Sequence, residues 1–269
     1  MSKLERYRHR GNKQVNGWLE PGAIEMIAAL ADAQTRLKVI GHVAEIGVHR
    51  GRLFILLALL RRAGEKAVAI DLFDLQHLNI DQSGEGDRVK LMANLLRHAD
   101  TKDFLIHQGD STQLTGAALV ALAGGKFRLF SVDGGHTADI TAHDLATAES
   151  ALAPGGIVIL DDCFNELWPD VAVGTMRYFG QPRGIVPFAT GGNKVMFCHP
   201  AYAAGYRTAL AGCASKTDAR KFLGCEVLCL SFKSSTFAER VGGQAWWRAV
   251  RDTAPVRILR RAYRYWAPH

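Results

Sequence analysis

Two short stretches decide how this chain folds: Ser131-Val-Asp-Gly-Gly-His136 and Gly155-Gly-Ile-Val-Ile-Leu-Asp-Asp162. Each is an apolar, β-branched run that ends abruptly in carboxylates. In an open α/β sheet, ligands bind at the carboxyl ends of the parallel strands. If the two runs are neighbouring strands, Asp133, Asp161 and Asp162 reach one crevice, with His136 a turn away. Three hard oxygen donors point to a divalent cation, Mg²⁺ or Mn²⁺, and the imidazole beside them to a general base. Taken alone, either stretch is equally a solvated strand end or a helix-capping turn. The case for a site rests on their pairing.

Working outward, residues 38–46, 67–70, 104–107, 127–132 and 157–160 read as strands. Residues 21–37, 53–62, 87–97, 116–123, 139–152 and 169–179 read as helices. Pro21 suits a first helical turn, and Asp139 places negative charge at a helix N-terminus. The alternation predicts a doubly wound, mostly parallel α/β sheet with right-handed crossovers. Residues 184–189 and 194–198 flank Thr190-Gly-Gly-Asn193, whose members tolerate positive φ, so an antiparallel hairpin completes seven strands. Beyond residue 201 the pattern does not separate strand from helix, as at 225–232. The expected organisation is a basic segment and helix at 1–36, a ligand-binding domain at 37–199, and a C-terminal helical appendage at 200–269.

Val43-Ala-Glu-Ile-Gly-Val-His-Arg-Gly-Arg52 follows the first strand and opens a helix, the context for backbone amides that approach a ligand. Its spacing is E-x-G-x-x-x-G rather than the G-x-G-x-x-G of a pyrophosphate cradle, which disfavours NAD chemistry. Glu45 facing the ligand repels phosphate and attracts an ammonium, so a cofactor with an amino-acid end fits better. Asp71 ends the second strand, where an acid hydrogen-bonds ribose hydroxyls. Asp110 follows the third, within reach of an adenine amino group. Each acid alone reads as a turn residue or cap; together they outline a nucleoside.

With E-I-G-V-H-R-G-R, I-D-L-F-D, V-D-G-G-H and P-G-G-I-V-I-L-D-D in place, residues 37–198 resemble the class I S-adenosylmethionine-dependent methyltransferases. Within these the chain looks most like the metal-dependent sugar O-methyltransferases of the macrocin and mycinamicin type and the cephalosporin hydroxylase-like proteins. The resemblance implies a Rossmann-like methyltransferase fold with S-adenosyl-L-methionine bound by Glu45, Gly47, Val48, Gly51, Asp71, Leu72, Asp110, Ser111 and Asp133. It also implies metal ligation by Asp133, Asp161 and Asp162, with His136 as catalytic base. His49 stands where many methyltransferases carry a middle glycine. The implied reaction is O-methylation of a vicinal diol, on a sugar of a glycolipid, polysaccharide or glycosylated natural product. A catechol-like acceptor and a non-catalytic cofactor-binding protein are the alternatives.

The polar, glycine-containing loop 74–87 lies at the ligand end of the second strand, as a water-excluding lid would. His77 and Asn79 in it are candidate substrate contacts, and equally surface residues. Asn165, Glu166 and Trp168 are better placed as substrate walls. The 48% hydrophobic content with 22% charge places the chain among globular proteins rather than disordered ones. Five cysteines without paired spacing argue against a disulfide framework or a thiolate zinc site. Residues 1–14 are basic without an apolar run, and no 18-residue apolar stretch follows, so a cytoplasmic protein is expected.

The formal charge of +7 is concentrated in residues 244–269, where six arginines face one aspartate, a net of +5, among Trp246, Trp247, Tyr263, Tyr265 and Trp266. This tail reads as a helix docked on its own domain, as a peripheral contact to an anionic membrane or glycolipid, or as a homo-oligomer contact. Nucleic acid ranks last among its partners.

Overall fold

The computed structural model describes residues 1–99 and 102–232. α1 (Lys3–His9) is capped by Ser2, whose hydroxyl accepts from the Glu5 amide at 3.1 Å. α2 (Pro21–Arg36) starts on its proline, which pre-sets φ where no amide partner is needed. Then β1 (His42–Ile46), α3 (Arg52–Leu59), β2 (Ala67–Asp71), α4 (Arg88–His98), β3 (Phe104–Gln108), α5 (Gly116–Ala123), β4 (Phe127–Val132), α6 (Ala138–Ala151) and β5 (Leu152–Asp161) alternate as expected. Asp87, Thr115 and Thr137 cap α4, α5 and α6. α7 (Pro169–Tyr178), β6 (Val186–Gly191), β7 (Lys194–Cys198), α8 (Pro200–Leu210), β8 (Lys216–Phe222) and β9 (Cys225–Ser231) follow.

The strand order is β3-β2-β1-β4-β5-β7-β6-β9-β8. β1 to β5 are parallel, and β7 runs antiparallel to β5 and to β6. The chain leaves β1 toward β2 and β3 and returns to β4 on the other side. The switch between β1 and β4 opens the crevice at their carboxyl ends.

Strand alternation divides the core. Val43, Ala67, Leu129, Ile157, Ile159 and Met196 face α2, α3, α4 and α8, while Ala44, Val68, Phe130, Val158 and Leu160 face α5, α6 and α7. α3 is apolar nearly all round, and Leu53 through Ala58 are all buried.

Among the described residues the sheet has nine strands rather than the expected seven, and the appendage, as far as Phe232, is one helix and a hairpin rather than helical throughout. β9 pairs in parallel with β6 at Ala189 and Thr190. That pairing covers an edge that would otherwise leave backbone groups open beside buried Phe188 and Ala189. The new edge, β8, reads Lys-Thr-Asp-Ala-Arg-Lys-Phe, and its charges discourage further pairing. The basic tail at 244–269 lies outside the described residues. Among those described, no helix is long and apolar enough to cross a membrane.

Candidate active site

The loop after β1 is shaped by its glycines. Gly47 has φ +82°, and a Cβ on it would lie 1.6 Å from the Asp133 carbonyl oxygen, so only glycine lets the β1 loop close against the β4 end. Gly51 (φ +90°) is the N-cap of α3. His49 keeps glycine-like geometry at φ +54°, a left-handed conformation that costs a non-glycine residue about 1–2 kcal/mol. Val48 is buried in the core.

Asp71 accepts from the His49 amide at 2.7 Å and the Phe73 amide at 2.8 Å, and Gly86 packs directly on its carboxylate. Burial still holds its pKa above the usual carboxylate range. Leu72, half-buried, follows it. Asp110 accepts from the amide and hydroxyl of Thr112 at 2.9 and 2.8 Å, so it caps the short turn Ser111–Gln113. The Ser111 hydroxyl donates to Asp144 at 3.1 Å. Asp144, on α6, is fully buried with Oδ1 unpartnered, and burial pushes its pKa up to about 7.

At the sheet's carboxyl end, Glu45, Ser131, Asp133, Asp161 and Lys194 form one polar layer. Glu45 lies opposite Ser131 across β1 and β4, and Asp161 opposite Lys194 across β5 and β7. Glu45 is 2% exposed, its Oε2 has no partner, and burial followed by the Asp133 charge drives its pKa well up. Asp133 is raised likewise, by burial and then by Asp161. Lys194 is equally buried and ion-paired to Asp161. Its neighbouring carboxylates outweigh the burial penalty and push its pKa up to about 12.

The structure brings three titratable groups together as a cluster. One ligand atom each from Asp133, His136 and Asp162 lies within 4.8 Å of the others. Asp161 differs from the sequence expectation of three equivalent ligands: its carboxylate is engaged by Lys194, by Asn193 Nδ2 at 3.0 Å and by the Asp162 amide at 2.9 Å. The reason is the antiparallel β5–β7 register, which seats the lysine directly opposite it. Asp162 has a left-handed backbone (φ +59°) and accepts from Asn165 and Asn193, both at 2.6 Å. Burial opposes its ionisation, but the His136 ring and then these donors hold the Asp162 pKa down at about 2.

His136 sits between carboxylates. Its Nδ1 is 3.1 Å from Asp81 and its Nε2 is 3.2 Å from Asp162. Burial opposes its charged form, but the two carboxylates prevail and raise its pKa to about 9. Trp168 stacks on the ring at 4.3 Å between centroids. Both glycines of D-G-G-H answer to close approaches: a Cβ on Gly134 would meet Asp144 at 2.7 Å, and one on Gly135 would meet Ile140 at 2.6 Å. In the loop 74–87, Asn79 bonds its own loop through the Gly84 carbonyl at 2.8 Å, and His77 is exposed. Asn165 holds Asp162, and Glu166 faces solvent. Lys194, Asp81, Asn193 and Asp144 were not among the residues expected from the sequence.

Residues 44–163 match the family model described as a methyltransferase domain. No curated protein is similar enough in sequence to match the chain. Among solved structures, the O-methyltransferase NovP is similar with a TM-score of 0.51 and 15% identity, over 66% of this chain and 80% of that one. CalS11, a TDP-rhamnose 3'-O-methyltransferase of calicheamicin biosynthesis, is similar at 0.45 and 21%, over 64% and 78%. TomG of Streptomyces achromogenes, solved with S-adenosylmethionine, is similar at 0.48 and 16%, over 73% and 88%. At this identity the likeness to NovP is one of fold: the chain has the Rossmann-like α/β methyltransferase architecture, extended by the β8–β9 hairpin.

Proposed function

We propose that the protein is an S-adenosylmethionine-dependent, divalent-metal-assisted O-methyltransferase acting on a hydroxyl of a vicinal diol, on a sugar of a glycolipid, polysaccharide or glycosylated natural product. The observation that carries this reading is the meeting of Asp133, His136 and Asp162 within 4.8 Å, beside the glycine loop of a methyltransferase-type sheet. The match of residues 44–163 to a methyltransferase domain supports the reaction class.

The residues fit both groups that the reaction requires. The unpartnered Oε2 of Glu45, buried beneath the loop, suits the ammonium of an amino-acid end, and Gly47 and Gly51 leave room for backbone to approach it. When bound, S-adenosylmethionine supplies an electrophilic methyl group on its sulfonium. Asp133 and Asp162 are the oxygen donors that would hold a cation, Mg²⁺ or Mn²⁺, and the ion would contribute Lewis acidity that lowers the pKa of a neighbouring hydroxyl.

The chain's own residues then do three things. His136, with its pKa raised to about 9, takes the hydroxyl proton at Nε2 only in its deprotonated form, and Nε2 is the nitrogen that in this structure points to Asp162. Trp168, stacked on the ring, keeps water from that face and limits the ring's rotation. Lys194 neutralises Asp161, so the carboxylates left to organise the acceptor are Asp133 and Asp162.

Transfer of a labelled methyl group to a panel of sugar diols and catechols tests the proposal. Wild type is expected to label a sugar diol, to stop in chelator and to recover with Mg²⁺. His136→Ala should lose about 100-fold or more in rate, the usual worth of a general base, while still binding S-adenosylhomocysteine by calorimetry. Undiminished transfer by both His136→Ala and Asp162→Ala, with no effect of chelator, would overturn it.

A further inference from the structure

The helix α4, Arg88-Val-Lys-Leu-Met-Ala-Asn-Leu-Leu-Arg-His98, is apolar on two faces. Its inner face is used by the fold: Leu91 and Leu95 are fully buried, Leu91 packs against Gly51 at the start of α3, and the Asn94 side chain donates to the Arg50 carbonyl at 2.9 Å. Its outer face is not. Val89, Met92 and Leu96 are 80%, 37% and 68% exposed, and Ala93 between them is exposed as well. At 3.6 residues per turn these four positions share one arc of about 100°. Cations edge the arc, Lys90 and Arg97 along one side and Arg88 along the other, all three exposed. The helix itself contains no acid, and its N-cap Asp87 pairs with Lys90 at 2.9 Å. Three cations against that one carboxylate leave residues 87–98 at a net of +2.

A surface helix of a globular protein normally turns one apolar stripe to its core and polar residues to water. A second apolar stripe rimmed by lysine and arginine is the pattern of a helix lying in the plane of an anionic lipid surface, its apolar side chains at the acyl boundary and its cations among the phosphates. A second copy of the chain fits this face less well. A two-fold contact would bring the cationic rim against itself, and four small or medium side chains fall far short of the roughly 20 residues a side that a stable interface uses. We propose that the outer face of α4 is a docking surface for an anionic lipid bilayer, with Val89, Met92 and Leu96 entering the headgroup region and Arg88, Lys90 and Arg97 meeting the lipid phosphates. The helix begins where the loop 74–87 ends, and Leu78 and Ile80 in that loop are exposed too. A chain docked on α4 thus carries this loop, whose Asp81 bonds to His136, close to the lipid surface.

Binding alone tests this, whatever reaction the site performs. The full-length protein is sedimented with vesicles of phosphatidylcholine, alone or with about one third phosphatidylglycerol, in about 0.1 M salt. Wild type should sediment with the anionic vesicles and stay in solution with phosphatidylcholine. Val89→Ser with Leu96→Ser should weaken the partition by about tenfold or more, through lost apolar burial. Arg88→Gln, Lys90→Gln and Arg97→Gln together should weaken it by about 100-fold, at roughly fivefold per cation near an anionic surface. All five positions are exposed, so both variants should melt within about 3 °C of wild type. The basic residues 244–269 are the same in every sample, so a difference between proteins belongs to α4. Wild type that ignores anionic vesicles or binds both kinds alike refutes the proposal, as does either variant binding as tightly as wild type. A wild-type dimer in sedimentation equilibrium that Val89→Ser with Leu96→Ser abolishes would also overturn it, assigning the face to a second copy.

Discussion

Lys194→Met is the sharpest probe of the layer beneath the site. The substitution keeps the side chain's length and removes its charge from a position 2% exposed to solvent, opposite Asp161 and close to Asp133 and Glu45. Breaking a buried ion pair by deleting one partner costs about 3–5 kcal/mol, because the remaining charge has neither water nor a counter-ion. For a domain of this size each kcal/mol moves Tm by about 2–4 °C, so a fall on the order of 10 °C is expected. The loss should depend on pH. Glu45 and Asp133 already sit well above the usual carboxylate range, and Lys194 is a group that lowers both. A carboxyl whose folded pKa is raised destabilises the fold as pH climbs past its unfolded value of about 4, so removal of the lysine should cost most near pH 8 and much less near pH 4.5. Scanning calorimetry of wild type and variant at the two pH values gives the comparison. In the double variant Lys194→Met with Asp161→Asn, much of the loss should return, since neither partner is then left charged and alone. A variant within about 2 °C of wild type at pH 8 would show that the pair does not carry the layer.

Two further outcomes follow from single atoms. Gly47→Ala puts a methyl group where the Asp133 carbonyl already stands, at 1.6 Å, and requires φ +82° of an L-residue, so the β1 loop must move away from β4; calorimetry should find S-adenosylhomocysteine affinity reduced by about 100-fold or more, roughly 3 kcal/mol, and undiminished affinity would refute the pinched-loop geometry. Asp144, raised to about 7 by burial, favours its protonated form in the fold, so its burial costs stability as pH rises from about 4 through 7; Asp144→Asn should therefore raise Tm by several degrees at pH 8, at about 2–4 °C per kcal/mol, and change it little at pH 4.5, an equal change at both being the contrary result.

The parallel half of the fold was legible because its signals are local. Apolar runs ended by carboxylates mark β4 and β5, Gly-Gly-Asn193 marks the turn between β6 and β7, where Gly192 and Asn193 take φ of +56° and +63°, and α5 matches its expected range, Gly116–Ala123. The hairpin β8–β9 was not legible. Lys-Thr-Asp-Ala-Arg-Lys-Phe has no alternating apolar face because it is a half-exposed edge, and what makes it a strand is its pairing with β9. The site divides in the same way. The E-I-G and D-G-G-H stretches announce themselves, whereas a lysine opening a strand reads as a solvated end. Only the β5–β7 register turns Lys194 into the partner of Asp161. Asp81 is hidden for a similar reason. An acid in a polar loop has no periodicity to betray it, and its partner lies 55 residues away.

Backbone strain gives an independent pointer to the same end of the sheet. Of the eight non-glycine residues with positive φ among those described, His49, Phe73, Gln82, Asp162 and Asn193 lie in the loops that follow the carboxyl ends of β1, β2, β5 and β6. Each such residue costs about 1–3 kcal/mol unless its surroundings over-determine it. Here they do: the His49 and Phe73 amides are bonded to Asp71, and Asp162 is clamped by Asn165 and Asn193. Asn193 itself bonds both Asp161 and Asp162. Asp71, Asp161 and Asp162 are thus bonded to backbone or side-chain groups of the loops that bend around them. A site held this way meets a ligand with its charges already placed, at a conformational cost offset by the packing of the sheet below.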